Sequence, residues 1–290
     1  MKLEYKILWI DNDDSIYKNH QKDIEEHLIN LGFIPNIVKG KDYQRFTELE
    51  AELNDFNLFI LDYKLDKVKD ANGNDVIING NTIIKDIREE QSIYTDVIFY
   101  SAVPEDMRKK AFEDRLSGVY FTSRDFNDFE DDVIGVIDAT IKKVQDVNNL
   151  RGLIMAEVAE LDRIKERIII SYANKNKCGT LEKYIIEKLI KSYSDNTKKV
   201  TKYTDSSINE IIGNLYVDSD KKARTIKKVE DTFSEDEYRE KILNTRNQFA
   251  HIEEKDNMIG DIEFTEENCI KIRKDIKNYK DLLENIEKAI

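Results

Sequence analysis

The sequence predicts an α/β doubly wound, five-stranded parallel sheet followed by an all-α helical bundle. Three observations predict it. Short apolar runs alternate with amphipathic, helix-length segments over residues 1–145. From about residue 146 that alternation stops and every segment has helical spacing. Charge also divides unevenly: residues 1–145 hold 19 Lys and Arg against 30 Asp and Glu, and residues 146–290 hold 27 against 29. Two domains follow, 1–145 and 146–290, in keeping with about 150 residues per domain.

The strands come in order. The runs are "YKILWI" (5–10), "FIPNIV" (33–38), "NLFILD" (57–62), "DVIFYS" (96–101) and "GVYFT" (118–122). Runs this apolar are buried on both faces, as strands of a parallel sheet are. Between the first two, residues 14–31 place Ile16, Ile24, Leu28 and Leu31 on one helical face. After the third strand, residues 65–80 form a long connection whose "NGN" and "NG" flank "DVII", the pattern of a small hairpin.

In the second half, helices are expected over 150–174, 179–194, 206–217, 220–232, 235–252 and 265–289. Ser234 with Glu237 has the capping-box spacing, and Thr265 is placed to cap the last helix. No proline follows Pro104, so segment 126–147 is expected to run almost directly into the next helix.

Composition excludes some functions. No apolar run reaches the length of a membrane span, and charged residues enter at once, so a cytoplasmic chain with no membrane anchor is expected. The two cysteines, Cys178 and Cys269, form no metal-binding cluster. The net charge of −13 is concentrated in the first half, which should repel nucleic acid; the near-neutral second half can offer local basic surface, such as Lys and Tyr over 191–203.

Chemistry-bearing residues gather at strand ends, where doubly wound sheets bind ligands. The first strand ends in Asp11, Asn12, Asp13 and Asp14, the third in Asp62, the fourth in Ser101. Clustered carboxylates there suit Mg²⁺, with Asp11, Asp13 and Asp62 as the metal set. A carboxylate beside such a metal can attack a phosphoryl group. Capping of the following helices is the simpler role for any one of these acids.

The other candidate is "NTRNQFAH" (244–251). On an ideal helical wheel Tyr238, Ile242, Thr245, Phe249 and Ile252 form an apolar stripe, and His251 lies about 140° from its centre. Asn247 shares the His251 face, whereas Arg246 falls near the other margin. An ordinary solvated polar face would look the same. Even so, His moves protons near neutral pH, Arg stabilises a phosphorane-like transition state, and RNA carries its own 2′-hydroxyl nucleophile.

Two resemblances sharpen these expectations. Through "ILWIDNDD", "FILDYKLD", "VIFYSA" and "GVYFTSRDF", residues 1–145 resemble the receiver domain of two-component response regulators. That implies a receiver/flavodoxin-like fold with Asp62 as phosphoacceptor, Asp11 as a metal-binding acid, Ser101 as switch hydroxyl, and a sensor kinase or regulatory protein as partner. Two departures stand out: Asn12 replaces a second acid, and "TSRDF" places Ser123 where the family has lysine, with the cation Arg124 next to it. Through "RNQFAH", residues 146–290 resemble the HEPN family. That implies Arg246, Asn247 and His251 as catalytic residues of a metal-independent endoribonuclease that dimerises to form its site, often in phage defence or as a toxin. The joint expectation is a signal-gated endoribonuclease: RNA as substrate, Mg²⁺ in the receiver-like half, and no cofactor for cleavage. The rivals are a non-catalytic signalling adaptor that binds a protein or RNA, and a transcriptional response regulator.

Overall fold

The computed structural model describes residues 2–69, 75–124, 126–144, 146–176, 179–192, 206–214, 216–251 and 258–290. Its contacts divide the chain into two units, Lys2–Asp146 and Val147–Ile290, with Met1 outside the described residues.

The first unit is a five-stranded parallel sheet with helices on both faces. Its strands are β1 (Glu4–Ile10), β2 (Ile34–Gly40), β3 (Leu58–Asp62), β6 (Val97–Ser101) and β7 (Val119–Ser123), in the order β2-β1-β3-β6-β7. The order reverses direction at β1, which puts a crevice at the carboxyl ends of β1 and β3. Successive side chains point to opposite layers. On one face Trp9, Ile60 and Tyr100 pack under α1 (Asp14–Asn30) and α5 (Phe126–Val144). On the other, Ile10, Leu61 and Phe99 pack with Phe46 of α2 (Tyr43–Glu48), Ile83 of α3 (Gly80–Lys85) and Met107 of α4 (Pro104–Glu113). Every residue of β3 and β6 is buried, which is why both read as unbroken apolar runs.

The connection after β3 is a two-stranded antiparallel ribbon, β4 (Lys64–Lys69) and β5 (Asp75–Asn79), as the Asn-Gly signals predict; residues 70–74 lie outside the described residues. Its root is fixed at the strand end, because the Gly80 N–H donates to Tyr63 O at 3.0 Å. A Cβ at Gly80 would stand 2.3 Å from the Asp62 carbonyl oxygen, so only glycine lets α3 start this close to Asp62.

Among the described residues the second unit is built of helices and one minimal two-stranded ribbon, β8 (Met258–Ile259) and β9 (Ile262–Glu263). The long α6 (Val147–Asn176) is its spine, packed against α7 (Thr180–Ser192), α8 (Ile208–Ile212), α9 (Ser219–Val229), α11 (Thr245–His251) and α12 (Glu266–Ala289). Helix α5 ends at Val144 and α6 begins at Val147, with residue 145 outside the described residues.

Two expected helices need correction. The helix expected over 206–217 is only Ile208–Ile212, opened by a capping box between Ser207 and Glu210 and ended at its C-cap, Gly213. The helix expected over 235–252 starts as α10 (Glu235–Tyr238), widens into a π-helical turn over Arg239–Asn244, and resumes as α11. That wider turn advances the wheel by less per residue, so Leu243 joins Tyr238, Ile242 and Phe249 in the core while Thr245 is only half-buried. Ile252 and most of 191–203 lie outside the described residues. Ser234 does cap α10, its side chain accepting from Glu237 N, and Thr265 caps α12 by accepting from Asn268 N. Among the described residues no helix is long and apolar enough to cross a membrane.

Candidate functional sites

Strand geometry brings the sequence-predicted acids together. Asp11 follows β1, Asp62 ends β3, Ser101 ends β6 and Arg124 follows β7. Asn12, Asp13, Asp62, Lys64, Ser101, Ala102 and Arg124 line one cavity of about 300 Å³. Asp11 is fully buried, and Asp62 and Ser101 are almost so. The Arg124 guanidinium reaches all three carboxylates: Nη2 stands 3.0 Å from Asp62 Oδ2 and 3.5 Å from Asp11 Oδ1, and Nη1 stands 3.4 Å from Asp13 Oδ2.

The acids are not equivalent. Asp13 is the N-cap of α1, accepting from Ser15 N–H, and that backbone bond holds its pKa below the ordinary carboxylate value. Asp11 is tied down at both oxygens: Oδ1 accepts from Asp13 N–H at 2.8 Å and Oδ2 from the Tyr100 hydroxyl. Burial raises its pKa, opposed by those bonds and by Arg124. For Asp62 burial dominates, with Arg124 opposing and Asp11 adding to it, and the pKa is pushed up to about 7. Asp62 Oδ2 makes an ion pair with Arg124 but receives no aligned hydrogen bond. A half-ionised carboxylate with an unsatisfied oxygen can act as nucleophile or as proton carrier near neutral pH. Ser101 Oγ accepts from Val103 N–H at 3.0 Å. Tyr100 is the residue that reasoning from strand ends misses: it sits one position before Ser101, buried, accepting from Trp9 Nε1 at 3.0 Å while donating to Asp11.

As arranged, the acids do not fit the Mg²⁺ expected of them. The guanidinium stands among the carboxylates a metal would bridge, Asn12 contributes a neutral amide, and no group of three acid, His or Cys side chains among the described residues is arranged to hold an ion.

In the helical unit, Arg246 and Asn247 come together. Arg246 Nη2 donates to Asn247 Oδ1 at 2.8 Å, and both line a cleft of about 310 Å³ with Ser219, Asp220, Arg239 and Leu243. Arg239 and Arg224 both hold Asp220, whereas no carboxylate lies within ion-pair distance of Arg246 among the described residues. His251 is exposed at the end of α11 and does not line that cleft, so within one chain the expected trio is only a pair.

Behind the cleft wall lies a polar cluster that the sequence reading passed over. Lys165, wholly buried on α6, donates to Ser219 Oγ at 3.0 Å and to Tyr238 OH at 3.0 Å, and pairs with Asp162 at 2.8 Å. Burial lowers its pKa to about 8, opposed by Asp162. A signal was present: Lys165 falls between Leu161 and Ile168 on the apolar stripe of α6, where a charge needs dedicated partners.

No family model matches the sequence, and no curated protein matches it. Among solved structures, the chain is similar to a signal receiver domain of an HD domain-containing protein from Pseudomonas fluorescens Pf-5. That match has 15% identity and a TM-score of 0.36 and covers 48% of this chain and 96% of that one. It is also similar to full-length FixJ from B. japonicum, with 13% identity and a TM-score of 0.35, covering 76% of this chain and 96% of that one.

Proposed function

We propose that this chain is a signal-responsive regulator: a receiver-like unit, addressed by a sensor kinase or regulatory protein, gates a helical unit that is a metal-independent endoribonuclease. The observation that carries the regulatory half is the meeting of Asp62, Ser101 and Arg124 in one cavity, with Arg124 also paired to the buried Asp11, at the switch point of a 2-1-3-4-5 sheet, here β2-β1-β3-β6-β7. There an Asp62 oxygen attacks phosphorus, the bond to the donor's leaving group breaks, and Ser101, which lines the same cavity, bonds the new phosphoryl oxygens.

A small acyl phosphate tests this step. Mass spectrometry is expected to find one phosphoryl adduct, lost in Asp62→Ala. Because the attacking form is the carboxylate and its pKa is about 7, the adduct should form faster at pH 8 than at pH 6. No adduct on wild type, or one that persists in Asp62→Ala, leaves a pseudo-receiver gated by protein contacts alone.

For the helical unit, the support is an arginine with no carboxylate partner among the described residues, paired with an asparagine in a cleft. The RNA 2′-hydroxyl attacks the adjacent phosphorus as His251 takes its proton; Arg246 holds the charge of the phosphorane. The 5′-oxygen leaves with a proton, giving a 2′,3′-cyclic phosphate and a 5′-hydroxyl. Total RNA incubated with purified protein is the test: cleavage with those ends, unchanged by EDTA, is expected. Cleavage that EDTA abolishes removes the metal-independent mechanism.

A dimer is part of this reading. Five residues along a helix put Arg246 and His251 roughly 140° apart, so one site needs them from two chains. Sedimentation under conditions of full activity should show a dimer, and a fully active monomer would rule the shared site out. A non-catalytic adaptor is the second reading, favoured by the position of His251 outside the cleft. It predicts RNA or protein binding with no cleavage.

A further inference from the structure

We infer that Arg124 is itself the cation of the acidic cavity, a tethered replacement for the divalent ion that carboxylates at these strand ends would otherwise recruit, so that Mg²⁺ is excluded while Arg124 is in place. This goes beyond the regulatory reading and does not depend on whether Asp62 accepts a phosphoryl group.

Three features carry it. One guanidinium lies 3.0–3.5 Å from carboxylate oxygens of Asp11, Asp13 and Asp62, acids contributed from two different strand ends. The planar fork of arginine presents five donors on two separated terminal nitrogens and Nε, so one side chain can span carboxylates that stand apart. Its position is also supported from below, since the guanidinium carbon sits 5.8 Å from the centre of the Tyr100 ring, the ring whose hydroxyl holds Asp11. Finally, the competition is unequal. Mg²⁺ gives up tightly held water reluctantly and demands near-octahedral geometry, whereas Arg124 is already attached to the chain. Asp11 spends both oxygens on hydrogen bonds from Asp13 and Tyr100, and Asn12 adds no charge to offset dehydration of the metal.

The cavity carries its own reporter. Trp9 is the single tryptophan of the chain, and its Nε1 donates to the Tyr100 hydroxyl that in turn donates to Asp11. A cation binding Asp11 should therefore alter Trp9 emission. The experiment titrates MgCl₂ at constant ionic strength into the full chain, reading Trp9 fluorescence and, in parallel, calorimetry. Wild type is expected to show no saturable change at millimolar Mg²⁺. Arg124→Gln, which keeps a polar stem without the charge, should gain saturable binding about tenfold tighter or more than any in wild type. Arg124→Gln combined with Asp62→Asn should lose that gain, locating the ion.

Two outcomes overturn the inference. Wild type saturating with an affinity within about twofold of Arg124→Gln would mean that the arginine does not stand in the place of the cation. A folded Arg124→Gln protein that stays silent by both readouts would mean that the acids are not a cation site at all. If Arg124→Gln does not fold, Arg124→Met takes its place. Saturable binding to wild type that Asp62→Asn abolishes overturns the inference without either variant. None of these measurements reads phosphoryl transfer or RNA cleavage, so failure here and failure of the regulatory reading are separable.

Discussion

His251→Ala is expected to lower RNA cleavage by about 10²–10⁴-fold, the range lost when a general acid or base is removed. The fold should survive, because the side chain is exposed at the end of α11 and its removal opens no core cavity. Arg246→Ala should cost about 10²–10³-fold, the loss seen when one donor to a developing oxyanion is deleted. Thermal melts of both variants should match wild type within a few degrees. Full cleavage by a well-folded His251→Ala protein would sink the assignment. Mixing the two dead variants adds a decisive reading. If each site takes Arg246 from one chain and His251 from its partner, a mixed dimer regains one intact site and activity returns. If both residues act within one chain, no mixture recovers.

The architecture of the first unit was legible because burial on both sheet faces leaves an unmistakable mark. Residues 58–62 and 97–101 are buried throughout, and each ends in a polar residue that faces the crevice. A parallel sheet then forces those ends to one edge, so Asp11, Asp62 and Ser101 could be grouped before any contact was known. The reach of one side chain is a different matter. That Arg124 spans three acids depends on where β7 stops, at Ser123, and no periodicity encodes it. Tyr100 was hidden for a similar reason: it counts as one more apolar residue in "VIFYS" until its hydroxyl is seen on Asp11. In the helical unit the ideal wheel failed at a specific place. The π-helical turn at Arg239–Asn244 brings Leu243 into the core and leaves Thr245 half-buried, and a uniform 100° step cannot anticipate that. The wheel nonetheless separated Arg246 from His251, and the cleft that takes Arg246 but not His251 agrees with it.

Asp62→Asn is expected to stabilise the first unit at pH 8, by an amount on the order of 2–4 kcal/mol, with little gain near pH 4. The sign follows from the raised pKa. An unfolded aspartate titrates near about 4, while folded Asp62 titrates at about 7 because burial penalises its charge. Between those values the folded chain holds a proton that the unfolded chain has released. Stability contributed by protonated Asp62 is therefore fully present below the unfolded pKa, falls as pH rises, and is lost above the folded pKa. An asparagine has no proton to lose, so the advantage of the variant should grow from pH 4 to 7 and level off beyond. The ion pair with Arg124 already offsets part of the burial, and the predicted gain is what remains after that offset. Chemical denaturation of both proteins at pH 4, 6 and 8 measures it, and a midpoint for Asp62→Asn at or below wild type at pH 8 would refute it. Packing alone gives no reason to hold an ionisable carboxyl in a buried strand end where a neutral isostere is more stable. Chemistry does, since a nucleophile or proton carrier must keep the charge that the fold disfavours.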